Sequence, residues 1–256
     1  MTGDLSVLLV AAIMGLSIGS FLNVVIHRLP LGQSLVSPGS RCPKCGYVLR
    51  PYDNIPVVSW VLLSGRCRQC RAPISAQYPI VEVVTALLFI LIAWLTPVGP
   101  LLFSRLILVA ILVALFGIDL EHQILPNVIT LPGIVVGLMF SFVAPPGWQD
   151  ALVGTLVGGG VLYAIAAAYY AVRREEGLGM GDVKMLAMIG AFLGWKAVLV
   201  TLVLSSFSGA AIGLALIAAQ RGGMKLALPF GTFLAVGAVA AMLAGEPLIA
   251  WYAGFF

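Results

Sequence analysis

Long apolar runs occupy most of this chain, and they restrict the folds it can adopt more than any other feature. Hydrophobic residues make up 61% of the 256 residues, and only 9% are charged, whereas a typical soluble domain has about 25% charged residues. Several runs are long enough for the roughly 20 residues that a helix needs to cross a bilayer. Because backbone groups in lipid must be satisfied within the protein, such runs are expected to be helices. The sequence predicts an all-α polytopic membrane protein.

We expect about eight transmembrane helices. The predicted spans are residues 5–26, 79–97, 103–118, 128–144, 151–172, 185–203, 205–219 and 229–253. The spans 185–203 and 205–219 share one almost unbroken apolar stretch, which another division or a re-entrant segment would also fit. The predicted domains are a first helix at 1–26, a polar loop at 27–78 and a helical core at 79–256.

Basic residues predict the orientation of these spans. If eight spans alternate, Arg105 and Lys196 lie on one side and the other 12 of the 14 lysines and arginines on the opposite side. By the positive-inside rule the basic side faces the cytosol, so both termini lie outside. The first span has no positively charged leader or evident cleavage site and is expected to stay in the mature protein. The net charge of +4 then reflects topology and lipid contact, and no nucleic-acid partner is expected.

The four cysteines all lie in the polar loop, as two C-x2-C pairs: Cys42 with Cys45, and Cys67 with Cys70. Two such pairs predict a tetrahedral zinc site. Four thiolates leave no position for water, so the metal is expected to be structural. Two disulfides are the alternative, which a reducing cytosol disfavours. Turns are expected after each pair, at Gly46 and at Arg71-Ala72-Pro73.

Two aspartates lie where apolar spans are predicted to meet the cytosol. Asp119 ends one run, and Asp182 follows Gly179-Met180-Gly181. A carboxylate at the centre of a bilayer costs at least roughly 2.5–3.5 kcal/mol, so acids in membrane segments usually mark a site or a pathway. A pair of carboxylates can activate water and protonate a leaving group without a metal. Gly179 and Gly181 would let a substrate backbone approach this pair closely.

The ordered set of motifs resembles the type IV prepilin peptidases, which are membrane aspartic proteases. The matching segments are residues 19–30, the tetracysteine loop, and residues 78–82, 119–127, 179–184 and 229–231. The resemblance implies that Asp119 and Asp182 are the catalytic pair. They would remove a short basic leader from type IV prepilins or type II secretion pseudopilins, at the cytosolic face of the bacterial inner membrane, with both termini in the periplasm. One departure is Asn127, where relatives commonly have an aspartate.

The resemblance also implies a second reaction, the methylation of the new amino terminus with S-adenosylmethionine. Composition and spacing do not indicate this activity. Glu82 is a candidate for contact with the substrate or the methyl donor, and an interfacial structural role is equally open. Glu175 and Glu176, together with Asp53 and Glu121, are candidates for contact with a basic leader. The oligomeric state is left open.

Two other kinds of function fit parts of the pattern. In a transporter or proton channel, Asp119 and Asp182 would relay protons, although the cysteine loop would then be unexplained. In a noncatalytic scaffold, the cysteine loop would be a zinc-bound interaction module. Only the protease interpretation requires that replacing the aspartates stops the processing of a substrate.

Overall fold

The computed structural model describes residues 4–174, 179–219 and 228–254. Across these residues the chain forms α-helices and one short 3-10 helix (Pro51–Asn54), with two isolated antiparallel bridges and no longer strand. The helices are α1 (Leu5–Arg28), α2 (Val58–Leu62), α3 (Gln77–Leu95), α4 (Pro100–His122), α5 (Asn127–Phe140), α6 (Trp148–Arg173), α7 (Met180–Ala218) and α8 (Phe230–Ala253). Six are long and apolar enough to span a membrane, and α5 is a shorter apolar helix. The predicted all-α membrane fold is confirmed.

Helix α7 is where the observed spans depart from the predicted division. Its 39 residues would extend about 58 Å at 1.5 Å per residue, roughly twice the hydrocarbon thickness of a bilayer. At Gly194 the backbone leaves the helical region, with φ 80° and ψ 172°. The boundary predicted between 185–203 and 205–219 is therefore wrong. Glycine adopts such a conformation readily, and the charge of Lys196 follows two residues later, a signal that the predicted span 185–203 ran across.

The first half of α7, residues 180–193, runs antiparallel to α6. A Cβ added at Gly154 would lie 2.5 Å from the Gly190 carbonyl oxygen, and one added at Gly158 would lie 2.5 Å from that of Leu186. The residue numbers rise along one helix as they fall along the other. Small residues thus let the two backbones touch, as glycines do in many membrane helix pairs.

The second half of α7, residues 195–218, runs antiparallel to α8. The Ser205 hydroxyl donates to the Phe233 carbonyl over 2.9 Å, and a Cβ at Gly213 would lie 3.3 Å from the Leu228 side chain. The starts of α7 and α8 lie at the same end of the structure, because Gly181 and Gly231 both lie beside Leu125. The chain therefore reverses direction at Gly194, and α7 is a helical hairpin. Counted as two segments, it brings the apolar segments of the described residues to eight, in agreement with the predicted number.

The contacts divide the chain into an N-terminal unit, Met1–Ala114, and a C-terminal unit, Leu115–Phe256, and each is described by itself. The predicted loop domain at 27–78 falls inside the N-terminal unit. The division into 1–26, 27–78 and 79–256 stays a prediction.

In the N-terminal unit, α1 packs closely against α3. A Cβ at Gly15 would lie 2.5 Å from the Ala86 Cα, and one at Gly19 would lie 2.7 Å from the Glu82 Cα. Nearer the loop, the Asn23 amide donates to the Tyr78 carbonyl over 3.0 Å. These contacts fix where the start of α3 lies against the end of α1.

We predict that Gly158→Ala destabilises the protein by roughly 1–3 kcal/mol, because its Cβ would push the α7 backbone away. Gly160→Ala in the same helix is the matched control, since its Cβ meets no atom within 4 Å. Because alanine favours a helix more than glycine does, Gly160→Ala should stabilise the protein by up to about 1 kcal/mol. Thermal unfolding in detergent measures both variants. Equal effects would contradict the close packing of α6 on α7.

Candidate active site and metal centre

Asp119 lies in the last turn of α4, and it is only 4% exposed. The carboxyl end of a helix carries partial negative charge, which disfavours an acid there. Hydrogen-bond donors at the start of α8 offset this unfavourable effect on the Asp119 carboxylate. The backbone N–H of Thr232 donates to the Asp119 Oδ2 atom over 2.9 Å, and the N–H of Gly231 also donates to this carboxylate. The first N–H groups of a helix have no partner within it, so α8 satisfies the buried carboxylate with donors that are otherwise free.

Gly231 allows this contact because it lacks a side chain. A Cβ at this position would lie 2.8 Å from Asp119 Oδ2 and 3.1 Å from Cγ. Sequence reasoning noticed Pro229-Phe230-Gly231 but gave it no role, and it missed Thr232. A proline followed closely by a glycine at the start of an apolar helix was the available signal for exposed N–H donors.

Asp182 is the third residue of α7, and it is half-buried. Its N–H donates to the Gly179 carbonyl over 3.1 Å, and its carboxylate accepts from the backbone N–H of Gly179. A helix start favours negative charge. The Gly179-Met180-Gly181 segment therefore places Asp182 through backbone contacts that are local in sequence.

Leu125 connects the surroundings of the two aspartates. A Cβ at Gly181 would lie 2.8 Å from Leu125 Cβ, and one at Gly231 would lie 2.9 Å from Leu125 Cδ1. Asp119 and Asp182 also interact electrostatically. The structure thus brings both predicted aspartates, with Gly179 and Gly181, to one end of the C-terminal unit. Two carboxylates so placed can share a proton and hold a water.

Asn127 and Lys184 lie at the same end. The Lys184 ammonium donates to Asn127 Oδ1 over 2.8 Å, which joins the first residue of α5 to the first turns of α7. The polar residue at position 127 therefore has a positioning contact even though it is not an acid. Sequence reasoning did not pair Lys184 with Asn127, because 57 residues separate them.

Of the remaining candidate acids, Glu121 lies two residues after Asp119 in the last turn of α4. Glu82 belongs to α3 in the N-terminal unit, where its Oε2 accepts the N–H of Val57 over 2.7 Å. Glu175 and Glu176 lie outside the described residues, so their predicted contact with a leader stays a prediction.

The four cysteines form a compact cluster in the N-terminal unit, with all four Sγ atoms within 4.8 Å of one another. The Sγ atoms of Cys42 and Cys70 are 3.8 Å apart, and those of Cys45 and Cys67 are 4.0 Å apart. A disulfide bond is about 2.05 Å long, so these are free thiols. Four sulfurs placed 2.3 Å from a tetrahedral metal would be about 3.8 Å from one another. The donor set and its spacing fit a bound metal ion.

The cluster is built from two copies of one short arm, residues 40–49 and 65–74. In the first, Cys42 N–H donates to the Tyr47 carbonyl and Gly46 N–H to the Cys42 carbonyl. The same two bonds recur 25 positions later at Cys67 and Arg71. Sequence reasoning found no internal repeat, because little beyond Arg-Cys-x-x-Cys is shared. The expected turns at Gly46 and Arg71 are confirmed.

The two thiols of the first arm, those of Cys42 and Cys45, differ in pKa. Backbone N–H groups of Cys45 and Lys44 lower the pKa of the Cys42 thiol to about 6. For Cys45, the N–H of Tyr47 acts in the same direction, but burial and the neighbouring thiols prevail and raise the pKa to about 12. Sulfurs this close together cannot all ionise without a cation between them, which is the condition a metal would supply.

Asp53 ties the 3-10 helix to both arms of the cysteine loop. Its side chain, 3% exposed, accepts from Arg68 Nε over 2.6 Å and from the Tyr47 hydroxyl over 2.9 Å. Burial alone would raise the pKa of Asp53, but these bonds and the Arg50 N–H outweigh it and hold the pKa below 3.8. The ionised Asp53 therefore stabilises the fold above pH 3.8, the pKa in the unfolded chain. This stabilisation is lost as the pH falls through the lower pKa of the folded state. These contacts give Asp53 a structural role.

Comparisons with known proteins show the family of this chain. The model of the bacterial peptidase A24 N-terminal domain matches residues 13–96, and that of the type IV leader peptidase family matches residues 106–214. A prepilin leader peptidase/N-methyltransferase of Aeromonas hydrophila is 39% identical, over 93% of this chain and 90% of its own length. The chain belongs to the type IV leader peptidase family. Enzymes of the same name from Stutzerimonas stutzeri and Pseudomonas aeruginosa are each 37% identical, over 99% and 98% of this chain and 96% and 95% of their own lengths. No solved structure matches.

In this member of the type IV leader peptidase family, we predict opposite effects of two substitutions at the equivalent turns of the cysteine arms. Gly46 and Arg71 both have positive φ, 72° and 58°. A side chain in this region costs roughly 1–2 kcal/mol. Gly46→Ala should therefore speed metal release to a chelator about fivefold or more, and Arg71→Gly should slow it. A colorimetric metal indicator follows the release. Faster release from Arg71→Gly would contradict the role assigned to these turns.

Proposed function

We propose that this protein is an aspartic endopeptidase that removes the basic leader from type IV prepilins or type II secretion pseudopilins, with Asp119 and Asp182 as its catalytic pair. The observation that carries the proposal is the pairing of the two carboxylates, each placed by backbone N–H groups at a helix start. Membership of the type IV leader peptidase family and the names of the relatives support the substrate class. Those names give no support to a proton relay.

The proposed chemistry uses a water held between the carboxylates. Thr232 and Gly231 donate N–H groups to Asp119, so Asp119 is suited to be the ionised partner that takes a proton from water. Asp182 would carry the shared proton and polarise the scissile carbonyl. The proton taken up by Asp119 then passes to the departing amine as the peptide bond breaks. Preorganised N–H donors of this kind need no rearrangement during the reaction.

The protein is a multi-pass membrane protein, and we propose that the aspartates face the cytosol. Arg173 ends α6 and Lys184 lies early in α7, at the same end of the C-terminal unit as Asp182. Basic residues favour the cytosolic side. This orientation would put the cleavage site where a newly made prepilin presents its leader, with both termini in the periplasm.

We further propose that the cysteine cluster holds a structural zinc ion and that S-adenosylmethionine is the donor for methylation of the new amino terminus. Cys42, Cys45, Cys67 and Cys70 would supply all four zinc ligands, leaving no open position for chemistry. Methylation is supported by the N-methyltransferase part of the relatives' names.

We predict that Asp119→Asn and Asp182→Asn each abolish leader removal, because neither variant can hold one ionised and one protonated carboxylate. Asp150→Asn, at an exposed aspartate in the first turn of α6, is the matched control and should cleave at the wild-type rate. Mass spectrometry of a purified prepilin gives the extent of cleavage. Leader removal by either dyad variant would overturn the assignment.

We predict that Gly181→Ala lowers kcat about 100-fold, because its Cβ would clash with Leu125 and displace the turn that holds Asp182. Leu125→Gly removes the Leu125 Cβ atom, which the new side chain would meet at 2.8 Å, and gives the turn room to return. The double variant should recover at least tenfold over Gly181→Ala. A double variant no more active than Gly181→Ala would contradict this geometry.

A further inference from the structure

The short helix α2, in the loop at 27–78, has a polar residue on its inner side and apolar residues on its outer side. Ser59 is only 6% exposed, and its hydroxyl donates to the Tyr52 carbonyl over 2.7 Å. Val58, Val61 and Leu62 are instead 49%, 60% and 78% exposed. A surface helix of a soluble domain turns its apolar residues toward the core. The outer side of α2 is therefore suited to an apolar environment outside the loop.

The three exposed residues share one face of α2. Positions 58, 61 and 62 follow the i, i+3, i+4 spacing that brings side chains together on a helix, and we call them the α2 face. The inner side of the same segment borders a cavity of about 420 Å³, where its lining residues are Val57, Ser59, Trp60 and Leu63. The α2 face thus points away from the interior of the N-terminal unit.

The α2 helix begins beside the membrane helices α1 and α3. The Val57 N–H, just before α2, donates to Glu82 Oε2 over 2.7 Å, and the Ser20 side chain donates to the same carboxylate. Ser20 lies eight residues before Arg28, the last residue of α1, a separation of about 12 Å along a helix. The start of α2 therefore lies alongside this helix pair rather than beyond its end, within reach of the lipid surface.

The loop that carries α2 is strongly basic. Residues 27–78 contain seven lysines and arginines and a single acid, Asp53, which is buried in an ion pair with Arg68. Six of the seven basic residues are exposed: Arg41, Lys44, Arg50, Arg66, Arg68 and Arg71. Clusters of basic residues next to a membrane helix attract anionic headgroups. An apolar helix face with basic charge around it is the combination by which interfacial helices bind anionic bilayers.

We propose that the α2 face inserts into the headgroup region of the bilayer, while the exposed basic residues of the loop bind the phosphates of anionic lipids. The surface holds the cysteine loop against the membrane beside α1 and α3. The same positive charge opposes a basic peptide at this face. The inference goes beyond the proposed peptidase and does not depend on the roles of Asp119 and Asp182.

Site-specific photo-cross-linking identifies what covers the α2 face. Leu62→p-benzoylphenylalanine and Val61→p-benzoylphenylalanine are each made in the full chain and reconstituted in vesicles of equal parts phosphatidylglycerol and phosphatidylcholine. Mass spectrometry of the intact protein after irradiation gives the adduct. We expect lipid adducts at both positions. Cross-links to a second copy of the chain without lipid adducts, or no adduct at either position, would overturn the proposal.

Val48→p-benzoylphenylalanine is the matched control, because Val48 is 62% exposed, close to the value for Val61, but lies in the first cysteine arm. Its yield of lipid adduct should be about fivefold lower or less, since only the α2 face combines apolar side chains with a position beside the spanning helices. Equal yields at positions 48 and 62 would contradict a role specific to α2.

Lipid composition tests the charge contribution. In vesicles of phosphatidylcholine alone, the yield at position 62 should fall about twofold or more, because the basic residues lose their anionic partners. An unchanged yield would overturn the assignment to anionic lipids.

A charge placed on the α2 face tests its insertion. Leu62→Asp should lower the lipid adduct at position 61 about threefold or more, because a carboxylate resists entry into the headgroup region of an anionic bilayer. Val48→Asp is the control and should leave the adduct at position 61 unchanged. Equal yields from the two variants would contradict the insertion of this face.

Discussion

The proposed active site depends on one interaction, the contact between the Asp119 carboxylate and the first N–H groups of α8. Asp119 is buried near the carboxyl end of α4, where both desolvation and the helix dipole disfavour a charge. The N–H groups of Gly231 and Thr232 offset this cost with donors that α8 cannot use itself. The contact requires a glycine at 231, and Leu125 packs against both this glycine and Gly181. A buried acid therefore determines how the start of α8, the α4–α5 connection and the start of α7 meet.

Different interactions organise the two units. In the C-terminal unit, backbone groups at helix starts hold two carboxylates, and glycine contacts between α6 and α7 set the packing behind them. In the N-terminal unit, the cysteine cluster and the Asp53 hydrogen bonds organise a loop that has little apolar core of its own. That loop and Glu82 line a cavity of about 420 Å³.

The sequence alone predicted the features that follow from composition and from motifs of closely spaced residues. The apolar runs, the two C-x2-C pairs and the acids at Asp119 and Asp182 are local patterns with a physical meaning. Sequence reasoning did not place the break at Gly194, because the predicted span 185–203 ran across this glycine and the charge of Lys196 that follows it. It also missed the donors at the start of α8 and the Lys184–Asn127 bond, since these join segments far apart in the chain. The repeated cysteine arm could not be recognised from the sequence, because the two copies share backbone hydrogen bonds but few side chains.

The central claim is that Asp119 and Asp182 act together with one proton between them. Its most direct test is the pH dependence of kcat/KM for leader removal, measured on the intact protein with a purified prepilin. A pair that needs one ionised and one protonated carboxylate predicts a bell-shaped profile with its optimum between weakly acid and neutral pH. Full activity that persists at pH 9 would contradict the shared proton and, with it, the account of this site.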